Sequence, residues 1–266
     1  YTPGLEGAGI VEAIGKGVSD IKVGDRVAYN GNLGAYAQQA LVKAIDLIPL
    51  PDALSFEEGA AFPLQGMTAH YLLHEYKKVQ AGEIVLLHAA AGGMGLLLTQ
   101  WLKHKGAIVI GTTSSEAKAK LAQDAGCDHT IDYTKQDFVK EVMRITSDKG
   151  CPLVIDGVGK STFKGSLEAV AKRGTVIIFG SASGPAEPIG PNELQKRAIT
   201  VSGGSLFSFL DTREEMLYRA QAVLKGIEEG WLKLNISTVL PLAQAADAHR
   251  LLESRQSTGK IILNCD

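Results

Sequence analysis

His88-Ala-Ala-Ala-Gly-Gly-Met-Gly95 is the stretch whose reading decides the fold. It follows the apolar, strand-like run EIVLLH, Glu83 to His88, and precedes LLLTQWLKHKGA, which reads as a helix. A helix N-terminus presents unpaired N–H groups and a partial positive charge. A phosphate satisfies both where no side chain blocks the approach of backbone. Glycine and alanine remove that block, and Gly95 lets the helix pack near the strand. The spacing Ala89-x-x-Gly92-Gly93-x-Gly95 is therefore a variant of the dinucleotide-binding fingerprint, in the strand–turn–helix context that the fingerprint demands.

Outward from this turn, strands and helices alternate. Strands are predicted at 84–89, 108–113, 129–133, 153–156 and 175–180, with helices at 94–105, 115–125, 135–146 and 161–172. Ile199 to Val201 adds a last strand. Such alternation indicates βαβ units and a parallel sheet. Residues 1–66 read differently: GAGIVEAIGKGV, IKVGDRVAY and LGAYAQQALVKA look like short strands joined by tight turns. Beyond the sheet, TREEMLYRAQAVLKGIEEG is an amphipathic helix, followed by a mixed tail ending in GKIILN. The fold class is α/β, a doubly wound parallel sheet with a second, β-rich domain. The expected domains are 1–66, 67–206 and a return segment, 207–266.

Composition limits the function. The 266 residues are 45% apolar, enough for a large core, and a net charge of −2 is too balanced to suggest nucleic acid or an anionic membrane surface as partner. No apolar run is long enough to span a bilayer. Cys127, Cys151 and Cys265 are scattered, form no CxxC pair, and favour a reducing, cytoplasmic setting. No Ser-His-Asp signature, P-loop or nucleophilic cysteine context stands out.

The choice of dinucleotide turns on the end of the second strand of the unit. An NAD site usually places an acid there for the ribose 2′-hydroxyl. Here Thr113, Ser114 and Ser115 occupy the position, Lys118 follows, and Tyr133 comes after the next strand. Hydroxyls and an ammonium suit a 2′-phosphate, so the expected cofactor is NADPH.

GLEGAGIVEAIGKGV (4–18), VGDRVAY (23–29), LGAYAQ (33–38), AAAGGMG (89–95), VIDGVG (154–159), RGTVIIFG (173–180) and TGKIIL (258–263) occur together and in this order. In this the chain resembles, over its whole length, the zinc-independent quinone oxidoreductases of the medium-chain dehydrogenase/reductase superfamily. The resemblance implies a GroES-like catalytic domain interrupted by a Rossmann domain. It also implies a first part of the catalytic domain upstream of Tyr1, carrying one wall of the acceptor pocket. Without that part, dimerisation and NADPH binding are expected to persist and quinone reduction to be weak. Zinc-dependent members have Gly-His-Glu where this chain has Gly4-Leu5-Glu6, and Leu5 cannot bind a metal. They also carry a four-cysteine lobe that is missing here. His70 and His74, at i, i+4 spacing, lack a third ligand, so no metal site is expected.

Position and resemblance together assign roles. Gly92, Gly93 and Met94 are expected to cradle the pyrophosphate through backbone N–H groups, and Ser114, Ser115, Lys118 and Tyr133 to surround the adenosine 2′-phosphate. Thr68 and Tyr71 match positions beside the nicotinamide, with helix packing as the alternative. Phe179, Gly180 and Ser181 end a strand on the ligand side, and Arg255 matches a C-terminal cofactor contact. Tyr29, Asn30 and Leu33 are candidates for the acceptor pocket. The implied activity is metal-free reduction of quinones by NADPH. Reduction of α,β-unsaturated ketones, a non-catalytic NADPH-binding protein and a reductase module of a multienzyme chain are the alternatives. Ala198 to Phe207 is expected as an apolar edge strand that pairs with its own copy in a homodimer.

Overall fold

The computed structural model describes residues 1–254 and 257–265. By contact pattern the chain divides into two compact units, Tyr1–His70 with Leu206–Asp266, and Tyr71–Ser205.

The first unit opens with strands β1 (Glu6–Ile10), β2 (Arg26–Asn30) and β3 (Leu47–Pro49), an antiparallel sheet in the order β1-β2-β3. Helix α1 (Phe56–Ala61) follows, started by a capping box in which Ser55 and Glu58 satisfy each other's backbone N–H groups. Helix α2 (Pro63–His74) comes next and carries the chain into the second unit. The expected strand at LGAYAQ does not form. Gly34 (φ +107°) and Tyr36 instead donate their N–H groups to the carbonyls of Gly4 and Pro3, so the segment is tied down by turn-like bonds rather than a ladder.

The second unit alternates as the sequence predicts: β4 (Ile84–Leu87), α3 (Gly93–His104), β5 (Ile108–Thr113), α4 (Glu116–Asp124), β6 (His129–Asp132), α5 (Phe138–Ile145), β7 (Cys151–Asp156), α6 (Phe163–Ala169), β8 (Val170–Ile178), α7 (Pro191–Gln195) and β9 (Thr200–Gly203). All six strands are parallel, in the order β6-β5-β4-β7-β8-β9, so the winding reverses between β4 and β7. Both faces of a parallel sheet are covered, which is why its central strands read as unbroken apolar runs. Val85, Leu86, Val109, Ile110, Leu153, Val154, Val176 and Ile177 are all fully buried. On one face Leu86, Ile110, Val154 and Val176 join Val142 and Phe163 in a core.

Three elements differ in their bounds from the sequence pattern for identifiable reasons. Asp137 accepts from the N–H groups of Val139 and Lys140, so α5 starts after this cap and not at 135. The predicted helix 161–172 stops at Ala169, because the backbone of Gly150 approaches residues 169–171 too closely for any side chain and Val170 pairs with Cys151. The edge strand is also shorter than 198–207: Ala198 is left-handed (φ +52°) and Leu206–Phe209 form a 3₁₀ turn.

The chain then returns to the first unit through α8 (Arg213–Glu228), β10 (Ile236–Pro241), α9 (Ala245–Glu253) and β11 (Lys260–Asn264), with β10 and β11 paired in parallel. Arg213 binds the return to its unit by donating to the carbonyls of Ala44, Ile45 and Leu47 at 2.8–2.9 Å. Glu6 fastens two further elements: it accepts from the Leu64 N–H in the first turn of α2 and pairs with Lys260 of β11.

A methyl group at Gly95 would lie 2.6 Å from the carbonyl carbon of Ala90, inside van der Waals contact with backbone that cannot swing away. Gly95→Ala is therefore expected to lower the unfolding free energy by about 1–3 kcal/mol, as overpacking does. Urea denaturation would measure it, and an unchanged midpoint would show that the turn can move aside.

Candidate functional site

The site is built on the carboxyl ends of the parallel strands. After β4 the chain reverses through Ala89, held at φ +53°, and enters α3 at Gly92. Among the described residues, no side chain caps α3. Its first-turn N–H groups therefore have neither a carbonyl one turn earlier nor a capping oxygen, which leaves an anion-binding end. Gly92, Gly93 and Met94 are all partly exposed at this end.

The neighbouring strand β5 ends in Thr112 and Thr113, both buried, and Ser114 and Ser115 follow, half-exposed. Ser115 is the N-cap of α4: its hydroxyl oxygen accepts from the Lys118 N–H at 3.3 Å, so that serine has a structural duty the sequence reading did not assign. Tyr133, half-exposed at the end of β6, donates its N–H to the Thr113 carbonyl. The hydroxyl of Thr113 is buried without a hydrogen-bond partner among the described residues. Sheet order thus collects Gly92–Met94, Ser114, Ser115, Lys118 and Tyr133 on three adjacent strand ends. Across the reversal point, Phe179, Gly180 and Ser181 follow β8, and the Gly180 backbone approaches the Gly157 carbonyl so closely that a Cβ would sit 2.7 Å from it.

Other candidates fare differently. Tyr71 is 1% exposed and its hydroxyl donates to the Gly204 carbonyl at 2.9 Å, which makes it a packing residue. Burial raises its phenol pKa well above the usual value. Thr68 lies half-buried on α2 in the first unit. Along β2 the side chains alternate: Val27 and Tyr29 join a core with Ile21 and Leu47, so Tyr29 serves packing. Asn30, next in line, is 5% exposed, and neither side-chain amide atom has a partner among the described residues. Leu33 is largely exposed. Arg255 lies outside the described residues.

A buried network beneath the turn was not foreseen. His88 Nδ1 lies 3.0 Å from Thr112 Oγ1, and its Nε2 lies 3.0 Å from Ser166 Oγ. Ser166 in turn donates to Asp156 at 2.8 Å. Here the serine binds the carboxylate directly and is fully buried, so this is not a nucleophile with its base. Burial pushes the imidazole pKa down to about 4, against an opposing pull from Asp156. The Phe138 ring stands edge-on to it, with centroids 4.9 Å apart.

His70 and His74 are satisfied histidines. His70 meets Arg219 at 3.1 Å and the Tyr218 ring, and His74 meets Lys105 and Trp101. Among the described residues, no three His, Cys, Asp or Glu side chains converge to hold a metal ion. Leu5 has no atom to offer one.

Fold and site together define a dinucleotide-binding oxidoreductase. The family model for the alcohol dehydrogenase GroES-like domain matches residues 1–52, and that for zinc-binding dehydrogenases matches 93–222. A quinone oxidoreductase from Pseudomonas aeruginosa is 44% identical over 262 residues, 98% of this chain and 81% of that protein. A 2-haloacrylate reductase from Burkholderia is 41% identical, over 98% and 80%. The crystal structure of Escherichia coli quinone oxidoreductase complexed with NADPH superposes with a TM-score of 0.94 at 38% identity, over 98% of this chain and 81% of that one. The chain belongs to the medium-chain dehydrogenase/reductase superfamily, in its zinc-independent quinone oxidoreductase group. The zinc in the family model's description does not fit the residues present, and no step through a metal follows.

His88 makes stability depend on pH. Its pKa is about 4 folded and about 6.5 unfolded, so between these values the unfolded chain binds the extra proton. Unfolding free energy should then fall as pH drops through this window, at up to about 1.4 kcal/mol per pH unit. The His88→Gln variant should lack that one-proton slope, measured by urea denaturation from pH 7 to 4. Parallel profiles for the two proteins would mean that the imidazole is not buried neutral.

Proposed function

We propose that this protein reduces quinones with NADPH, without a metal. The observation that carries the reading is the uncapped N-terminus of α3 on a strand-end row that offers hydroxyls and Lys118 where an NAD site has an acid. NADPH, when bound, supplies the reducing equivalents; the net reaction is quinone + NADPH + H⁺ giving hydroquinone + NADP⁺.

The protein's part is to hold and to exclude water. Backbone N–H groups of Gly93 and Met94 bind the diphosphate, with Gly92 leaving the approach open. Ser114, Lys118 and Tyr133 bind the 2′-phosphate and adenosine, and Ser115 adds its hydroxyl proton while capping α4. Gly180 and Ser181 line the nicotinamide side, with Phe179 packed behind them on Gly157. Thr68 and Arg255 complete the cofactor contacts proposed. Asn30 is the acceptor-side candidate: its side-chain amide, without a partner among the described residues, has a donor to offer a quinone oxygen. A quinone accepts electrons readily and its reduced oxygens take protons from water, so no Lewis acid is needed.

Cysteines outside any disulfide among the described residues fit a reducing, cytoplasmic setting. We also propose a homodimer. Strand β9 is one of the two edge strands of the six-stranded sheet, and a two-fold axis would pair Thr200–Gly203 with its own copy.

Two measurements test the reading. NADPH should bind much more tightly than NADH, and Lys118→Ala should weaken NADPH alone by about 1.5–3 kcal/mol, the range for a hydrogen bond to a charged group. Equal titration curves for the two cofactors refute this choice. Steady-state kinetics should favour 1,4-benzoquinone over 2-chloroacrylate, with Asn30→Ala raising KM for the quinone; the reverse preference reassigns the acceptor.

For the dimer, sedimentation equilibrium should give twice the chain mass, and Val201→Lys on the edge should shift it to monomer. A monomeric wild-type protein removes the edge-pairing argument.

A further inference from the structure

We propose that His88 is a positioning residue for the cofactor's diphosphate: a one-way chain of hydrogen bonds running through it to Asp156 fixes the Ala89–Gly92 turn ahead of α3. This role presupposes that Gly92–Met94 seats the diphosphate, as inferred above.

The direction of the chain follows from its two ends. Asp156 is fully buried, and its Oδ2 accepts from the Ser166 hydroxyl at 2.8 Å. That uses the only hydroxyl proton of Ser166, so at 3.0 Å from His88 Nε2 the serine oxygen accepts. Nε2 therefore carries the proton of a neutral imidazole, and Nδ1 is left as an acceptor. The partner of Nδ1 is Thr112, which donates its hydroxyl proton at 3.0 Å. The Thr112 oxygen in turn accepts from the Ala89 N–H at 3.3 Å. Every donor from Ala89 to Asp156 thus has one acceptor, and none can reverse alone. Desolvation of the ring, which lowers its pKa, agrees with the neutral form.

The far end ties in a second turn. Asp156 Oδ1 accepts from the N–H groups of Val158 and Gly159 at 2.9 and 3.0 Å, and from the Thr162 hydroxyl at 2.8 Å. The turns after β4 and β7, on either side of the point where the winding reverses, therefore share one polar assembly. What it holds at the near end is costly: the Cβ of an alanine crowds the following carbonyl in the left-handed conformation that Ala89 adopts. Thr112 restrains that residue through its side chain and Ala90 through its carbonyl, at 3.0 Å.

The test has two parts. On the free wild-type protein, ¹⁵N-resolved NMR of the histidines should show His88 as the Nε2–H tautomer at neutral pH; an Nδ1–H tautomer or a protonated ring overturns the chain's direction. Fluorescence titrations then compare wild type, Thr112→Val and Thr112→Ser, using NADPH and adenosine 2′-monophosphate, which lacks the diphosphate. Thr112→Val should raise Kd for NADPH about tenfold and leave Kd for the monophosphate unchanged, and Thr112→Ser should restore wild-type binding. Unchanged NADPH binding in Thr112→Val overturns the proposal, as does equal weakening of both ligands, which would indicate general loosening. A wild-type protein that binds the monophosphate but not NADPH removes the diphosphate seat and the positioning role with it. The tautomer measurement on free protein separates that failure from a wrongly drawn chain.

Discussion

The close approach of the first turn of α3 to the end of β4 governs the second unit. Backbone meets backbone there, with the Gly95 Cα against the carbonyl groups of Ala89 and Ala90. That contact aims the helix axis at the strand end, leaves its N–H groups facing outward, and requires Ala89 to turn left-handed. The close spacing extends to the next strand, where Gly111 of β5 leaves room for the Ala90 methyl group and the Cys127 sulfur. Small residues at these positions set the geometry that larger side chains then fill.

Sheet order converts this local geometry into a site. Because β5 lies beside β4 and β6 beside β5, residues more than twenty positions apart in the chain come to neighbouring strand ends. The first unit is organised by different means. Its sheet is small, and long polar side chains bind its dispersed segments: Glu6 joins β1 to α2 and β11, and Arg213 joins α8 to the loop before β3. Leu5, beside this structural glutamate, faces solvent and offers no side-chain ligand to a metal.

Legibility in the sequence followed the range of the interactions. IVIGTT was readable as a strand because an apolar, β-branched run between helical patterns has few other uses, and β5 has the predicted bounds. The start of α5 and the end of α6 were not, since a cap at Asp137 and a tight approach at Gly150 outweigh periodicity. In the site, the glycine turn carries its meaning in adjacent residues and was legible. Tyr29 and Asn30 are adjacent candidates in the sequence, but alternation along the strand sends Tyr29 to the core and leaves the Asn30 amide without a partner among the described residues. The His88–Ser166 bond links positions 78 apart through residue types common in any chain. Its only local sign was a histidine at the end of a strand that is otherwise apolar.

The burial of Cys127 and Cys151 has a chemical consequence for a protein that handles quinones. Quinones are electrophiles as well as oxidants, and they add to thiolates by conjugate addition. Burial pushes the Cys127 thiol up to about 11, with Thr99 pulling the other way, and the Cys151 thiol up to about 12. At neutral pH roughly one in ten thousand Cys127 side chains, and fewer of Cys151, would carry the reactive charge. Packing these two sulfurs away from solvent therefore makes both side chains resistant to arylation by quinones.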